Sequence, residues 1–235
     1  MMLSREMAKS MIAKSLIEKE KAESTSLASL VYETLLDMLI SNQIPPGTIL
    51  NRREVANSLK VSVAPVLEAF NRLEWEGYLQ TLPRKGTIVV IPDSSDVMDN
   101  LVAREALEVQ AARIICGDIV KKNYEKLLPL AIELDSTFIS VDRSNITLEN
   151  QFHGMLMKLT ENKALISMHE MLLEKRLFYS IHETVMYQSS SSDRHLDTHQ
   201  GLLLKLESDN PDEAEKAIRI HLGTTRFAIE SVRTK

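Results

Sequence analysis

Four residues of this sequence have the types and spacing that suit a metal site. Glu149 and His153 are four positions apart, which places both side chains on one face of a helix. His199 and His221 lie in two further segments with helical periodicity. A carboxylate and three imidazoles suit a divalent transition metal, zinc first, with nickel and manganese also compatible. Because spacing alone is not specific, an interpretation without metal stays open, in which the histidines are capped or exposed and Glu149 and His153 form an ordinary helix pair.

The segments that carry these residues belong to a long helical region. Aromatic residues make up only 5% of the chain, while leucine, methionine, alanine and glutamate are plentiful, which favours helices over a large sheet. Helical periodicity recurs after residue 92 in six segments, at about 95–115, 119–141, 146–160, 162–187, 193–207 and 211–233. We therefore expect a mainly α fold class with a C-terminal all-α helical bundle.

A different order of elements precedes this bundle. A helix that starts near Ser26 is followed by a short strand, a helix capped by Asn51, a tight turn and a helix capped by Ser62. Two β-prone runs joined by the basic tip Arg84-Lys85 then predict a hairpin. This order is typical of a winged helix-turn-helix, whose second paired helix enters the major groove of DNA. The predicted parts are an N-terminal arm at residues 1–24, a winged helix-turn-helix domain at 25–91 and an all-helical domain at 92–235.

Charge and composition limit the partners and the compartment. The net charge is −5, but residues 1–92 carry +1 and residues 93–235 carry −6, so any DNA contact must come from the N-terminal part. The single cysteine, Cys116, excludes an intrachain disulfide and fits a reducing compartment. No apolar stretch approaches the roughly 20 residues needed to span a bilayer. We expect a cytoplasmic protein without membrane contact.

Residues in both parts carry a resemblance to a known family. In the N-terminal part they are Pro46-Gly47, Leu50, Glu54-Val55-Ala56, Leu59, Val61-Ser62, Pro65-Val66, Glu68-Ala69, Arg72-Leu73-Glu74, Glu76-Gly77 and Gly86. In the C-terminal part they are Arg104, Leu107-Glu108, Ala111-Ala112-Arg113, Glu149, Phe152-His153, Asn162, His199, the Asp209–Ala214 turn and His221-Leu222. The chain resembles GntR-type transcription regulators of the FadR-like subfamily, whose C-terminal effector-binding domain is all-helical and of the FCD type. The resemblance implies a homodimer that binds a palindromic double-stranded DNA operator, and a small organic acid effector that modulates operator affinity.

The resemblance also implies roles for polar residues of the helical domain. The four potential ligands match the family's metal-binding set, although the family usually has aspartate at the position of Glu149. The longer glutamate can still bind an ion after a small shift. Arg104 matches a position that faces the effector pocket, where a guanidinium beside a metal suits a carboxylate; a pair with Glu108 on the same helix is the alternative. Arg113 is expected to be structural. The three remaining histidines are expected to be either structural or exposed: His169, His182 and His195.

The DNA-facing residues depart from the family pattern. The turn into the recognition helix usually reads Ser-Arg-Thr-Pro-Val-Arg in the family, whereas this chain has Val63, Ala64 and Leu67 at the second, third and sixth positions. Val63 and Leu67 thus replace two arginines expected to reach guanine or phosphate. Apolar contact of Val63 and Ala64 with thymine methyl groups predicts an A·T-rich operator, or else weak DNA binding. The other predicted DNA contacts are Arg52, Arg53, Asn71, Arg72, Arg84 and Lys85.

Two other functions stay open at this point. A metal-dependent enzyme is conceivable because histidine and glutamate sites can activate water. The sequence shows no further base or nucleophile at a telling spacing, and the N-terminal domain would have no purpose in such an enzyme. A regulator that acts through protein partners after losing its DNA contacts is the other alternative. We predict a DNA-binding regulator without enzymatic activity.

Overall fold

The structure, a computed structural model, describes residues 26–136, 143–187 and 198–233, with side chains described for 26–136, 144–179 and 198–223. It forms two compact units, one that ends at Pro92 and one that begins at Asp93. We call residues 26–92 the head and residues from 93 onward the bundle. The predicted N-terminal arm lies outside the described residues.

The head has three helices and a three-stranded sheet within its described residues. Its elements are α1 (Leu27–Ile40), β1 (Ile49–Leu50), α2 (Arg52–Leu59), α3 (Val63–Trp75), β2 (Leu79–Leu82) and β3 (Gly86–Val89). The strand β3 lies between β1 and β2 and is antiparallel to both, with Ile88 opposite Ile49 on one side and Gln80 on the other. This arrangement confirms the predicted winged helix-turn-helix, with β2 and β3 as the wing.

Local residue chemistry explains the paired helices α2 and α3. The side chain of Asn51 caps α2, as predicted, by accepting hydrogen bonds from the backbone N–H groups of Arg53 and Glu54. Lys60 ends α2 in the left-handed conformation, with φ of 55°, which turns the chain sharply into α3. Ser62 occupies the predicted N-cap position of α3, but its side chain makes no capping hydrogen bond.

The packing of α3 fixes which of its sides faces outward. The helix buries Val66, Ala69, Phe70 and Leu73, which recur at helical spacing. These side chains pack the helix into the head, chiefly against α1. The residues between them are consequently held at the surface.

The bundle is entirely helical in its described residues. Its elements are α4 (Ser94–Ile115), α5 (Asp118–Ser136), α6 (Arg143–Lys158), α7 (Lys163–Tyr187), α8 (His199–Leu206) and α9 (Pro211–Arg233). The prediction of one helix from residue 193 to 207 is wrong at Thr198. That residue is extended and caps α8 through a 3.0 Å hydrogen bond to its hydroxyl from the backbone of Gly201, so α8 begins at His199.

A single apolar core joins five of the bundle helices. It includes Ile115 of α4, Leu127 of α5, Phe152 of α6, Leu202 of α8 and Ile218 of α9, all buried. This core brings the inner faces of α6, α8 and α9 together, which are the helices that carry the predicted ligands. Within the described part of the chain, no helix combines the length and the apolar character needed to cross a membrane.

Two leucines of α3 in opposite environments provide a test of the head. Leu73 is fully buried, whereas Leu67 is 41% exposed. We expect Leu73→Ala to lower the free energy of unfolding of the head by about 2–5 kcal/mol because it leaves a cavity, and Leu67→Ala to change it by less than about 0.5 kcal/mol. Hydrogen exchange of peptides from α3, measured by mass spectrometry, reports on the head separately from the bundle. Equal losses of protection in the two variants would contradict this placement.

Candidate metal centre and DNA-facing surface

Three histidines from three helices meet inside the bundle. His153 lies on α6, His199 is the first residue of α8 and His221 lies on α9. Each offers a ring nitrogen, and the three ligand atoms all lie within 4.8 Å of one another. Only 1% of His153, 1% of His199 and 7% of His221 is exposed. The group could therefore hold a metal ion away from bulk water.

Glu149 completes the predicted set of four. It stands one helical turn before His153, and its two carboxylate oxygens lie 3.1 Å from His199 Nε2 and 3.6 Å from His153 Nε2. Its side chain is 24% exposed, so it forms the more open side of the cluster among the described residues. Burial opposes ionisation of Glu149, but the adjacent rings of His153 and His199 and the nearby Arg176 outweigh that effect and hold its pKa well below the ordinary value.

The ring nitrogens of this cluster are better suited to binding a metal ion than to hydrogen bonding with one another. His153 Nε2 and His199 Nε2 are buried and make no hydrogen bond of good geometry with any described atom, although both face Glu149. Buried polar atoms without partners are costly, and a divalent cation among them would remove that cost. Burial, together with the neighbouring His153 and His199, lowers the pKa of His221 to about 3. His221 is consequently a neutral imidazole at pH 7, the form that binds metals.

Asp135, at the end of α5, holds His199 in place. Its Oδ1 accepts hydrogen bonds from the backbone N–H of His199 at 2.8 Å and from ring Nδ1 at 3.0 Å. Its Oδ2 accepts from the backbone and side-chain amides of Gln200 at 3.1 and 2.9 Å. With Nδ1 donating to the carboxylate, Nε2 is left to face the cluster, as in the second shell of many metal sites. No spacing in the sequence indicates this role for Asp135, because it lies on a different helix from every candidate ligand.

Glu108 performs a similar role for His153 at the centre of a buried charged network. Its Oε2 lies 2.7 Å from His153 Nδ1, and its Oε1 bonds Arg104 Nε at 2.9 Å, Arg104 Nη2 at 2.7 Å and His169 Nε2 at 2.8 Å. All four side chains are at most 4% exposed. Burial alone would raise the pKa of Glu108, but Arg104 and His153 hold it well below the ordinary value.

This network bears on the two roles predicted for Arg104. The structure shows the pairing of Arg104 with Glu108, and contact with an effector stays a prediction. A cavity of about 10 Å³ lies beside Glu108 and His153, with mainly apolar walls that include Ala111 and Met157. That volume holds about one water molecule. Within the described residues this cavity has no room for an organic acid.

Arg176 on α7 is a second cation near the cluster, and sequence reasoning missed it. Its Nη1 lies 3.7 Å from a carboxylate oxygen of Glu149 and donates a 3.2 Å hydrogen bond to Asn150 Oδ1. The side chain is 12% exposed. Nothing in the spacing of α6 and α7 indicates this approach, which depends on the packing of the two helices.

Two other polar residues of the bundle, His169 and Arg113, make the structural contacts expected of them. His169 is fully buried against Glu108, as expected of a structural histidine. Arg113 joins α4 to α9 through Asp212 at 2.6 Å and Glu215 at 2.8 Å, as also expected. The side chains of two histidines lie outside the described residues: His182 and His195.

The predicted DNA contacts of the head fall into two groups. The first group is exposed at the surface of the head and consists of Arg53, Val63, Ala64, Leu67, Asn71, Arg84 and Lys85. Arg52 instead donates to Thr81 Oγ1 at 3.3 Å. Arg72 lies 3.6 Å from the ring centre of Tyr32 and donates to Glu76 at 3.0 Å. These contacts within the head compete with any DNA contact of Arg52 or Arg72, which stay predictions.

Comparison with known proteins gives consistent matches over both units. The gntR family of bacterial regulatory proteins matches residues 27–89, and the FCD domain matches residues 99–224. The Nta operon transcriptional regulator of Aminobacter aminovorans is 30% identical over 141 residues, which are 60% of this chain and 67% of that protein. The HTH-type transcriptional repressor RspR of Escherichia coli K12 is 25% identical over 209 residues, 86% of this chain and 89% of the relative. A GntR transcriptional regulator from Rhodococcus sp. RHA1 shares the fold, with a TM-score of 0.65 and 20% identity over 88% of this chain and 99% of that chain.

The buried pair of Arg104 and Glu108 leads to a stability prediction. We expect Glu108→Ala to lower the free energy of unfolding by about 3–5 kcal/mol, because it leaves the Arg104 charge buried without its partner. Arg219→Ala, which removes exposed pairs with Glu105 and Glu215, is the control and should cost at most about 1 kcal/mol. Urea unfolding followed by circular dichroism measures both. Similar losses in the two variants would show that the Arg104–Glu108 pair is not buried.

Proposed function

Because the chain belongs to the gntR family of bacterial regulatory proteins and contains an FCD domain, we propose that it is a repressor whose operator affinity responds to a small carboxylate bound beside a divalent metal. Family membership makes it a DNA-binding transcription regulator and not an enzyme. The repressor role is supported by the Escherichia coli relative, which is named as a transcriptional repressor. Such a protein acts in the cytoplasm, where its DNA is.

The convergence of Glu149 with three buried histidines is the observation that carries the metal part of this proposal. One carboxylate and three imidazoles suit zinc, and nickel and manganese accept the same donors. A bound ion supplies positive charge and open coordination positions that attract the oxygens of an organic acid. The bundle's own residues contribute orientation: Asp135 fixes the ring of His199, and Glu108 fixes the ring of His153.

The three histidines come from three different helices and meet at one place. Binding at this site can therefore influence the packing of the bundle. His153, His199 and His221 come from α6, α8 and α9, and His199 is the first residue of its helix. Any ligand that binds one arrangement of these helices better than another shifts the population between them. Operator affinity changes only if the two arrangements also differ in their affinity for DNA.

An acid effector needs a cation that it can reach. Arg104 has Nε and Nη2 bonded to Glu108 and is 2% exposed, so it contacts an effector only if Glu108 moves. Arg176 is better placed, because it approaches Glu149 at the more open side of the cluster. We infer that the effector carboxylate binds the metal and Arg176 together.

The DNA part of the proposal is a homodimer on a palindromic operator. Two copies of a head each place one recognition helix in the major groove, so their symmetry is matched by two half-sites one helical turn or more apart. The wing residues Arg84 and Lys85 and the helix residue Arg53 are suited to phosphate contacts.

Metal content tests the site directly. Protein purified without an affinity tag should contain close to one divalent ion per chain by elemental analysis, and His153→Ala should lose it because one of the imidazole donors is gone. Glu149→Asp should retain the ion, since the carboxylate remains. His169→Gln is the matched control, a buried histidine outside the ligand group, and should also retain it. A metal-free native protein, or a His153→Ala protein with full metal content, would refute the site.

Thermal stability tests the effector site. Mono-, di- and tricarboxylic acids of two to six carbons are added to the metal-loaded protein, and one class should raise the melting temperature by roughly 5–10 °C at 100-fold excess over its Kd. Arg176→Gln should remove most of that shift. Arg219→Gln, an exposed arginine of α9, should leave it unchanged. If chelator-treated protein shows the same shift as metal-loaded protein, the acid does not bind at the metal.

A further inference from the structure

The outward side of α3 begins with an apolar ridge formed by Val63, Ala64 and Leu67. Val63 is 44% exposed and Leu67 is 41% exposed, and the two are one helical turn apart on the same side of the helix. Val66 and Phe70 are fully buried on the other side. Because these two anchor the helix, the ridge cannot turn inward, and three apolar side chains are presented where α3 begins.

The chemistry of the ridge restricts what it can recognise in DNA. None of the three side chains can donate or accept a hydrogen bond, so they cannot read the polar edges of guanine, cytosine or adenine. The 5-methyl group of thymine is the apolar feature of the major groove. Asn71 follows Leu67 by one turn and is exposed. Its amide can donate to and accept from the N7 and N6 atoms of adenine, which pairs with thymine.

The position of the ridge and the charges of the head favour DNA over another occupant. The ridge lies in the N-terminal half of the recognition helix, the part that contacts base edges in helix-turn-helix complexes. Arg53, Arg84 and Lys85 are exposed in the same unit and can bind the phosphates on either side of a groove. Residues 26–92 nevertheless contain six basic and six acidic residues. Attraction to phosphates alone is therefore weak, and contacts with bases must supply a large share of the affinity.

We propose that Val63, Ala64 and Leu67 read the methyl groups of thymines in each operator half-site, with Asn71 on an adjacent adenine. This inference rests on the DNA-binding function of the head and adds to it the base that the head selects. Methyl reading makes the operator A·T-rich at the base pairs that face residues 63 and 67. An arginine at either residue would instead select guanine there.

The first experiment selects binding sites and then removes their methyl groups. The full-length protein selects duplexes from a random library at low salt, and we expect two-fold symmetric half-sites rich in A·T pairs. Deoxyuridine then replaces individual thymidines, which removes the methyl group and leaves base pairing unchanged. Loss of one buried methyl group should weaken binding about fourfold. Replacement in both half-sites should weaken it about 15-fold, because separate contacts add in free energy.

Variants of the ridge identify the side chain responsible. In Leu67→Ala, deoxyuridine at the thymine that Leu67 contacts should have almost no further effect, because the contact is already absent. Ile49→Ala is the matched control, since Ile49 is 62% exposed on β1 rather than on α3. In the Ile49→Ala variant, deoxyuridine should weaken DNA binding by the same factor as in the native protein. Val63→Arg combined with Leu67→Arg should convert the preference at these positions from A·T to G·C.

The outcomes separate this inference from the proposed function. If no sequence is enriched at low salt, DNA reading itself fails, and the inference fails with it. If half-sites are enriched but deoxyuridine has no effect, or if the native protein selects G·C pairs at these positions, methyl reading is overturned while operator binding stands. A protein partner captured by the ridge, with DNA affinity unchanged in Leu67→Ala, would also overturn it.

Discussion

The helical domain depends on the interactions of one buried carboxylate, that of Glu108. A charge in the interior of a bundle is unfavourable unless every polar atom around it has a partner. Glu108 meets most of this condition: its Oε1 bonds two nitrogens of Arg104 and His169 Nε2, while its Oε2 lies 2.7 Å from His153 Nδ1 without hydrogen-bond geometry. Its bond to Arg104 lies within α4, whereas its contacts with His169 and His153 reach α7 and α6. One residue thereby connects the packing of three helices to the orientation of His153, a candidate metal ligand.

In the candidate metal centre, by contrast, two buried ring nitrogens lack a hydrogen-bond partner within the described part of the chain. His199 and His153 have their Nδ1 atoms beside carboxylates, but their Nε2 atoms have no good hydrogen bond among the described residues. A carboxylate therefore lies on the outer side of both rings, and the two Nε2 atoms face the centre of the cluster. A divalent cation at the centre would give both Nε2 atoms a partner.

The sequence predicts the secondary-structure elements and the candidate ligands, but not the residues that hold those ligands in place. Helical periodicity and the cap at Asn51 place the elements of the head, and the four candidate ligands could be named from residue type, spacing and family resemblance. Asp135, Arg176 and the partner of Arg104 depend on which helix faces share an interface, and the sequence does not contain that information in any local pattern. The start of α8 was also missed, because a single threonine cap overrides the apolar periodicity that continues before it.

The apolar ridge of α3 has a consequence for how the head reads modified DNA. Thymine and 5-methylcytosine carry the same methyl group at the same carbon, in the same groove. A surface of Val63, Ala64 and Leu67 has no polar atom with which to tell the two bases apart. Under the proposed methyl reading, enzymatic cytosine methylation would create at a G·C pair a favourable contact that the unmodified base lacks, and the affinity for such a site would then depend on its methylation state.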